Sequence, residues 1–406
     1  MSTSNVLYLA DTPIQVTNCI ALASGYFRPG QTQADSETLV SYLVIYAAFS
    51  DSERFFELAV KSAVFEEVYL LEDSRHENSK LGLRLNLLRA VLGDYQARDF
   101  PRWVSSVRFD WIGLSSFTLL HFCALSLARK LNPDIKIFMF EDGTGSYNGE
   151  VFRCSAYYFE ALPKKVPELS AVVKKKRRLA RFLFGKRASC NLNCIYVKHP
   201  ALISYTPPCD VRSFSIAPLL DIAGVEAFAP ELQLPRNQGL SVLFLEPPRG
   251  AFDQVELSAL DSLMKSLDER GIWFGRRAHP RSRREGERLS RCVDVSEGQW
   301  ELICHRSAFK RVVLVGQVST TMLSPVMEAG EKPYLMFLHH LSRTSGPGDS
   351  EVQRQIIELI SKLYGKDDSR IIIPESLDEA SSILLNLCMD PVTADADDRG
   401  AEQPSC

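Results

Sequence analysis

Two adjacent carboxylates, in the sequence Glu141-Asp142-Gly143, stand at the end of an apolar segment. Residues 135–140 before them have the composition of a buried strand, and the glycine after them is typical of a turn. Ligands of open α/β sheets bind at the carboxyl ends of the strands, so this position delivers carboxylates to a reaction site. Two such groups can divide the work of general base and hydrogen-bond acceptor.

A histidine–proline pair, His279-Pro280, follows a second predicted strand at residues 272–274. The proline favours extended backbone at His279, which can hold the imidazole at the strand end. Histidine can hydrogen-bond a phosphate group and supply a proton as that group departs. The surrounding arginines suit an anionic nucleotide and are Arg276, Arg277, Arg281, Arg283 and Arg284. The other such pair, His199-Pro200, has no arginines close behind it, and we interpret it as structural.

A run of three hydroxyls, Ser319-Thr320-Thr321, follows the predicted strand 311–315 and opens a predicted helix. Hydroxyl groups and backbone N–H groups at a helix N-terminus can bind an anion. The same residues are also typical of an ordinary helix N-cap. The order of the three motifs along the chain favours the anion site.

The elements that must position these motifs alternate between strands and helices. This alternation predicts an α/β fold with two Rossmann-like domains facing across a cleft, a GT-B-like arrangement. The predicted strands are 6–10, 39–47, 67–71, 111–114, 135–140, 240–245, 272–274, 311–315, 332–338 and 370–373, and the predicted helices are 52–64, 81–92, 119–131, 254–268, 322–329, 352–363 and 377–387.

The domain organisation follows from the spacing of these elements and from a proline-rich interruption. We expect an N-terminal domain at 1–206, an interdomain crossover at 207–239 and a C-terminal nucleotide-binding domain at 240–389. The polar, acidic tail 390–406 is expected to be disordered.

Composition excludes several classes of protein. The net charge of -3 argues against a nucleic-acid partner, and the sequence shows neither a membrane-spanning run nor a secretory signal. Scattered cysteines within apolar segments favour a reduced, cytoplasmic protein.

The pair Cys190 and Cys194 lacks a second pair of ligands, and no promising Asp-x-Asp motif is present, so we expect no metal. The dinucleotide and P-loop glycine motifs are also absent, and no cofactor is predicted.

One strongly basic segment, 164–187, interleaves lysines and arginines with leucine and phenylalanine. It is most typical of a solvated helix face. A basic amphipathic helix that contacts an anionic membrane surface is the second interpretation. Peripheral attachment to the inner face of the cytoplasmic membrane is the functional interpretation of this segment.

The three motifs together resemble those of bacterial sialyltransferases. The stretch from Glu141 to Tyr147, with His279-Pro280-Arg281 and the opening segment from Asp11 to Gln15, most resembles glycosyltransferase family 52, which contains lipooligosaccharide sialyltransferases. The resemblance runs from about residue 5 to about residue 380. Bacterial polysialyltransferases share the short motifs and are a close alternative.

The resemblance implies an inverting, metal-independent transfer of sialic acid from CMP-sialic acid, a substrate, to a hydroxyl of a galactoside or sialoside in a bacterial surface glycan. It makes Glu141 or Asp142 the base and His279 the acid. A carboxylate early in the second domain, Asp253 or Glu246, is the other candidate base. The substrate-binding residues it implies are Gly143, Thr144, Pro280, Arg281, Ser319, Thr320, Thr321 and Gln15.

Two further hypotheses remain open from the sequence. An enzyme of the same kind could transfer another CMP-activated sugar acid, such as Kdo. A catalytically silent protein could keep the fold and bind only the glycan or the nucleotide. The sequence is also compatible with a homodimer.

Overall fold

A computed structural model describes most of the chain, which divides into two units, Met1–Val225 and Glu226–Cys406. Each unit contains one parallel β-sheet with helices between its strands. The described residues are 3–27, 38–47, 49, 51–71, 100–115, 119–143, 145–148, 192–246, 254–278, 289–317, 319–338, 349–365 and 368–390.

The first unit has a seven-stranded sheet in its described part, with the strand order β3-β2-β1-β4-β5-β6-β7. Every neighbouring pair is parallel. The chain builds outwards from β1 to β3 and then resumes on the other side of β1, which makes the β1–β4 boundary the topological switch point. The strands are β1 Thr3–Ala10, β2 Thr38–Tyr46, β3 Glu67–Leu71, β4 Trp111–Leu114, β5 Lys136–Phe140, β6 Leu192–Val197 and β7 Asp210–Ser213.

The helices of this unit fall between the strands, as parallel connections require. Thr12 caps the first helix by accepting a hydrogen bond from the backbone N–H of Gln15 at 3.4 Å, and Pro13 occupies its first position. The helices are α1 Pro13–Ala21, α2 Ser52–Lys61, α3 Arg102–Ser106, α4 Leu119–Leu131 and α5 Gly145–Asn148, with a π-helical turn at Leu22–Tyr26 and 3-10 turns at Pro200–Leu202 and Ala217–Asp221.

The second unit has a six-stranded parallel sheet in its described part, with the order β10-β9-β8-β11-β12-β13. Its switch point lies between β8 and β11. The strands are β8 Ser241–Leu245, β9 Phe274–Arg277, β10 Cys292–Asp294, β11 Val312–Gly316, β12 Tyr334–Phe337 and β13 Ile371–Ile372. The helices are α6 Gln254–Glu269, α7 Trp300–Arg306, α8 Thr320–Ala329, α9 Asp349–Tyr364 and α10 Leu377–Met389. A 3-10 turn at Val225–Ala227 contains the division between the two units in the sequence.

Both sheets are buried on their two faces, which explains why their central strands are continuously apolar rather than alternating. Residues 6–10 of β1 have no exposed surface, and Val313, Leu314 and Val315 of β11 are equally buried. The core of the second unit joins these strands to buried side chains of α6 and α10. In the first unit, Gly113 leaves room for the Phe138 ring, which lies where a Cβ atom at position 113 would be.

Most of the predicted elements are confirmed, and helix 119–131 has the predicted bounds. The strand predicted at 272–274 instead spans Phe274–Arg277, because its arginines find partners in the fold rather than solvent. Helix 52–64 ends at Lys61, and β6, β10 and α7 were not predicted. The predicted helix 81–92, the basic segment 164–187 and residues 391–406 of the tail lie outside the described residues.

The segment 207–239, expected to be a crossover, contributes a strand. Within it, β7 pairs with β6 and completes the first sheet, and the division between the units falls after Val225. Within the described residues, no helix combines the length and the apolar character that crossing a bilayer requires.

Candidate active site

The carboxyl edge of the first sheet collects polar residues from four strands. Asp11 follows β1, Ser115 follows β4, Glu141 follows β5 and Lys198 follows β6. Since the four strands are parallel, their carboxyl ends lie at one edge, which is where this class of fold binds ligands.

Glu141 is a buried carboxylate whose oxygens are already engaged. Its side chain is 3% exposed, and Oε2 accepts hydrogen bonds from the Tyr147 hydroxyl at 2.6 Å and the Lys198 backbone N–H at 2.8 Å. The Lys198 side chain is 4% exposed, and its ammonium nitrogen lies 4.0 Å from Oε1. Buried charges of this kind are stabilised by pairing and hydrogen bonding. Glu141 therefore ties the end of β5 to α5 and to the end of β6.

Tyr147 continues this connection beyond Glu141. Its hydroxyl accepts a hydrogen bond from the backbone N–H of His199 at 3.3 Å. Its carbonyl accepts from the backbone N–H of Ser204 at 2.9 Å, and the Tyr205 hydroxyl donates to the Ser146 carbonyl at 3.2 Å. The short helix α5 is thus fixed to the segment after β6, partly through the backbone of His199.

Asp142 is the carboxylate that remains partly exposed. Its backbone N–H donates to the Ser146 hydroxyl at 2.9 Å, and the next residue, Gly143, turns the chain with φ of 79°. A positive φ of this size favours glycine. One carboxylate oxygen, Oδ1, accepts a hydrogen bond from Nε2 of Gln15 at 2.9 Å. The site therefore offers one oriented carboxylate that can accept a proton from an incoming group.

Gln15 supports Asp142 from the first helix. Its side chain is 1% exposed, and its Oε1 accepts from the Asp11 backbone N–H at 2.7 Å. That bond determines which way the amide points, so its NH₂ group faces the Asp142 carboxylate. Asn18, one turn further along α1, donates from Nδ2 to the Glu141 carbonyl at 2.9 Å. Gln15 thus positions the Asp142 carboxylate, and the role in substrate binding that the sequence suggested for it stays a prediction.

One buried histidine near this edge was not singled out from the sequence. His121 lies in the first turn of α4, directly after the strand β4 at the switch point, and has no exposed surface. Burial lowers the pKa of His121, and the negative charge of Asp11 opposes that shift. The imidazole is therefore neutral near pH 7. Its position after a strand at the switch point was the signal that could have identified it.

In the second unit, Glu246 ends β8 and is paired with an arginine. Its Oε1 lies 2.6 Å from Nε of Arg276, and its Oε2 accepts from Nη2 of the same residue at 3.4 Å. The Glu246 side chain is 3% exposed. This ion pair, with its one hydrogen bond, holds the carboxylate in place. Glu246 is therefore less suited to accept a substrate proton than Asp142.

The hydroxyl run begins α8 at the carboxyl end of β11, a central strand of the second sheet. Ser319 has extended backbone, with φ of -145° and ψ of 159°, and its side chain makes no capping hydrogen bond within the described residues. Thr320 and Thr321 form the first turn. The remaining predicted site residues, Thr144, Asp253, His279, Pro280 and Arg281, lie outside the described residues. Within the described part of the chain, no group of three or more His, Cys, Asp or Glu side chains is arranged to hold a metal ion.

Comparison with known proteins identifies the fold. No family model and no curated protein matches the sequence. The crystal structure of the glycosyltransferase of kitacinnamycin is similar, with a TM-score of 0.51, 9% sequence identity, and coverage of 97% of this chain and 93% of that chain. The fold is of the GT-B type.

Two other solved structures align over nearly the whole chain. CalG4, the calicheamicin glycosyltransferase, has 12% identity, complete coverage of both chains and a TM-score of 0.46. UDP-GlcNAc 2-epimerase from Neisseria meningitidis has 14% identity, covers 94% of this chain and 98% of its own, and has a TM-score of 0.44.

Proposed function

We propose that this protein is an inverting, metal-independent glycosyltransferase that moves sialic acid from CMP-sialic acid to a hydroxyl group of a bacterial surface glycan. The observation that carries the proposal is the oriented, partly exposed Asp142 carboxylate at the carboxyl edge of the first sheet. The fold it shares with a solved glycosyltransferase supports the reaction class, and the sequence resemblance described above supports the donor.

In this reaction, Asp142 removes the proton from an acceptor hydroxyl, whose oxygen attacks the anomeric carbon of the sugar. The bond from that carbon to the CMP phosphate oxygen breaks, and attack from the opposite face inverts the centre. His279 hydrogen-bonds the departing phosphate and supplies its proton, while Ser319 and Thr320 bind the same phosphate. A positioned general base contributes about 10²- to 10⁴-fold to such a rate.

The choice of Asp142 over Glu141 rests on the exposure of the two side chains. Two donors and an ammonium group already occupy Glu141, which is also buried from any acceptor sugar. Asp142 has one oxygen held by Gln15 and a partly exposed side chain. Asp253 remains the competing base.

An acceptor-dependent assay of CMP release tests the donor assignment. Wild-type protein should release CMP from CMP-sialic acid when a galactoside such as lactose is present, and His279→Ala should lower that rate. Release of CMP from CMP-Kdo alone would change the assigned sugar acid, and release of UDP from a UDP-sugar alone would refute the CMP donor class. Nucleotide binding without turnover for any donor would favour the catalytically silent alternative.

A change at Gln15 should alter the pH dependence of this activity. Gln15→Glu removes the amide donor and places a second carboxylate against Asp142. Repulsion between two carboxylates favours the protonated form of one of them, and a protonated base is inactive. We expect the acid limb of the kcat/KM profile to move to higher pH, measured by CMP release between pH 4 and pH 9.

The chain offers a matched control for this substitution. Gln299 is another buried amide that donates to a carboxylate, from Nε2 to Oε2 of Glu301 at 2.7 Å. Gln299→Glu should lower stability while leaving the acid limb where it is in the wild type. An acid limb that is unmoved in Gln15→Glu would show that Asp142 is not the group whose ionisation controls the rate.

A further inference from the structure

The helix α8 contains a proline that removes one of its own hydrogen bonds. In an α-helix the N–H of each residue donates to the carbonyl four positions earlier, and proline has no N–H. Pro325 lies inside α8, so the carbonyl of Thr321 lacks its helical donor. The proline ring also pushes that carbonyl outwards. The Thr321 carbonyl, in the first turn of α8, therefore needs a hydrogen-bond donor from outside the helix.

That partner is Trp300, the first residue of α7. Its indole Nε1–H donates to the carbonyl of Thr321 at 2.7 Å. The side chain is buried, with 5% of its surface exposed, and its ring packs edge-to-face against Phe309 at 5.6 Å between centroids. A buried indole N–H normally requires an acceptor, so both groups are satisfied by one bond.

Arg277 also contacts the Trp300 ring. Its guanidinium carbon lies 5.1 Å from the ring centroid, within range of a cation–π contact. The same guanidinium donates to the carbonyls of Val295 at 2.7 Å, Glu297 at 3.0 Å and Gly298 at 2.6 Å. Burial lowers the pKa of Arg277, and the charge of Glu301 opposes this shift.

The loop that Arg277 binds is itself restricted to one conformation. Gly298 has φ of 80°, and a Cβ atom there would lie 2.6 Å from Cδ of Pro230 and 2.9 Å from the carbonyl oxygen of Phe228. Only glycine fits this close approach without a shift of the neighbouring backbone. The loop and Arg277 therefore form a fixed support beneath Trp300.

These contacts link two elements that the proposed function assigns to the donor. Arg277 is the last residue of β9, two positions before His279, and Thr321 follows Ser319 and Thr320 in the first turn of α8. We propose that Trp300 and Arg277 are positioning residues. They hold the first turn of α8, the phosphate-binding element of the proposed function, in a fixed position relative to the end of β9. This inference rests on the proposed function.

Nucleotide binding to the full-length protein tests the role of Trp300. Trp300→Phe keeps the aromatic ring and removes the indole donor. We expect its affinity for CMP to fall by about 5- to 10-fold, the size expected for one lost hydrogen bond, while its affinity for cytidine changes by less than about 2-fold. Calorimetric titration with both ligands measures the two affinities. Trp111→Phe, a buried tryptophan of the first unit, is the control and should leave both affinities unchanged.

A second variant separates positioning from simple stabilisation of the helix. In Trp300→Phe/Pro325→Ala, the new N–H at position 325 can donate to the Thr321 carbonyl and restore the helical bond. The hydrogen bond that joins residue 300 of α7 to the first turn of α8 stays absent. We expect the melting temperature to recover towards the wild-type value while the affinity for CMP stays low.

Three outcomes would overturn the inference. CMP affinity that recovers together with stability in the double variant would mean that the indole only satisfies a carbonyl. Unchanged CMP affinity in Trp300→Phe, with normal wild-type binding, would refute the positioning role alone. Wild-type protein that binds neither CMP nor inorganic phosphate would refute the donor assignment and this inference together.

Discussion

Asp142→Asn should lower the rate of CMP release by about 10²- to 10⁴-fold while leaving the melting temperature close to that of the wild type. The asparagine oxygen can still accept the hydrogen bond from Nε2 of Gln15, so this contact with α1 is retained. The substitution removes the negative charge and with it the capacity to take a proton. Steady-state kinetics and thermal unfolding on the same preparation measure the two effects.

Asp110→Asn is the matched control for this experiment. Asp110 precedes β4, at the amino edge of the same sheet, and accepts a hydrogen bond from the backbone N–H of Asn5 at 3.1 Å. We expect it to leave turnover unchanged. If Asp142→Asn keeps wild-type turnover while Asp253→Asn loses it, the base lies in the segment after β8 and the proposed role of Asp142 is wrong.

Glu141→Gln should differ from Asp142→Asn in that its main effect is on stability. We expect a loss of about 3–5 kcal/mol in the free energy of unfolding. The substitution removes the negative charge that faces the buried ammonium group of Lys198 at 4.0 Å. It also places an amide NH₂ group among donors, since the Tyr147 hydroxyl and the Lys198 N–H both point at this side chain. Urea unfolding monitored by circular dichroism measures the change.

Two companion variants test the origin of this loss. Tyr147→Phe removes the two hydrogen bonds of the hydroxyl without removing a charge and should cost about 2 kcal/mol. Glu141→Gln/Lys198→Met removes both charges and should recover a part of the stability that Glu141→Gln loses. Wild-type stability together with lost turnover in Glu141→Gln would instead make Glu141 the catalytic base.

The general architecture could be predicted from the sequence because it depends on local patterns. Apolar runs at residues 6–10 and 135–140 match strands β1 and β5, and the helix at 119–131 has a clear apolar composition. The position of the two carboxylates at a strand end also followed from such a pattern. The strand β7 escaped prediction because Asp210–Ser213 is short and partly exposed, and it forms only through pairing with β6.

The difference between the two carboxylates could not be predicted in the same way. Both follow the same strand, and their environments depend on residues that are distant in the sequence. Lys198 is 57 residues from Glu141, and Gln15 is 127 residues from Asp142. Side-chain direction at the strand end and the pairing of β5 with β6 decide which carboxylate is buried, and neither is encoded in the local motif.

The arginines after the predicted strand 272–274 show a second limit of sequence reasoning. Clustered positive charge suggested an anion-binding surface, but Arg276 pairs with Glu246 and Arg277 binds backbone carbonyls. Both belong to β9, so two of the five arginines in the cluster serve the fold of the second unit. The pattern of residue types alone does not distinguish these uses.

The proline in α8 also affects how the second unit assembles. A helical hydrogen bond closes a loop of four residues, whereas the bond from Trp300 to Thr321 spans 21 residues. Closing the longer loop costs more chain entropy, so the bond forms only once α7 and α8 have packed against each other. The turn that begins with Ser319 and Thr320 is therefore a product of tertiary docking rather than of local helix formation.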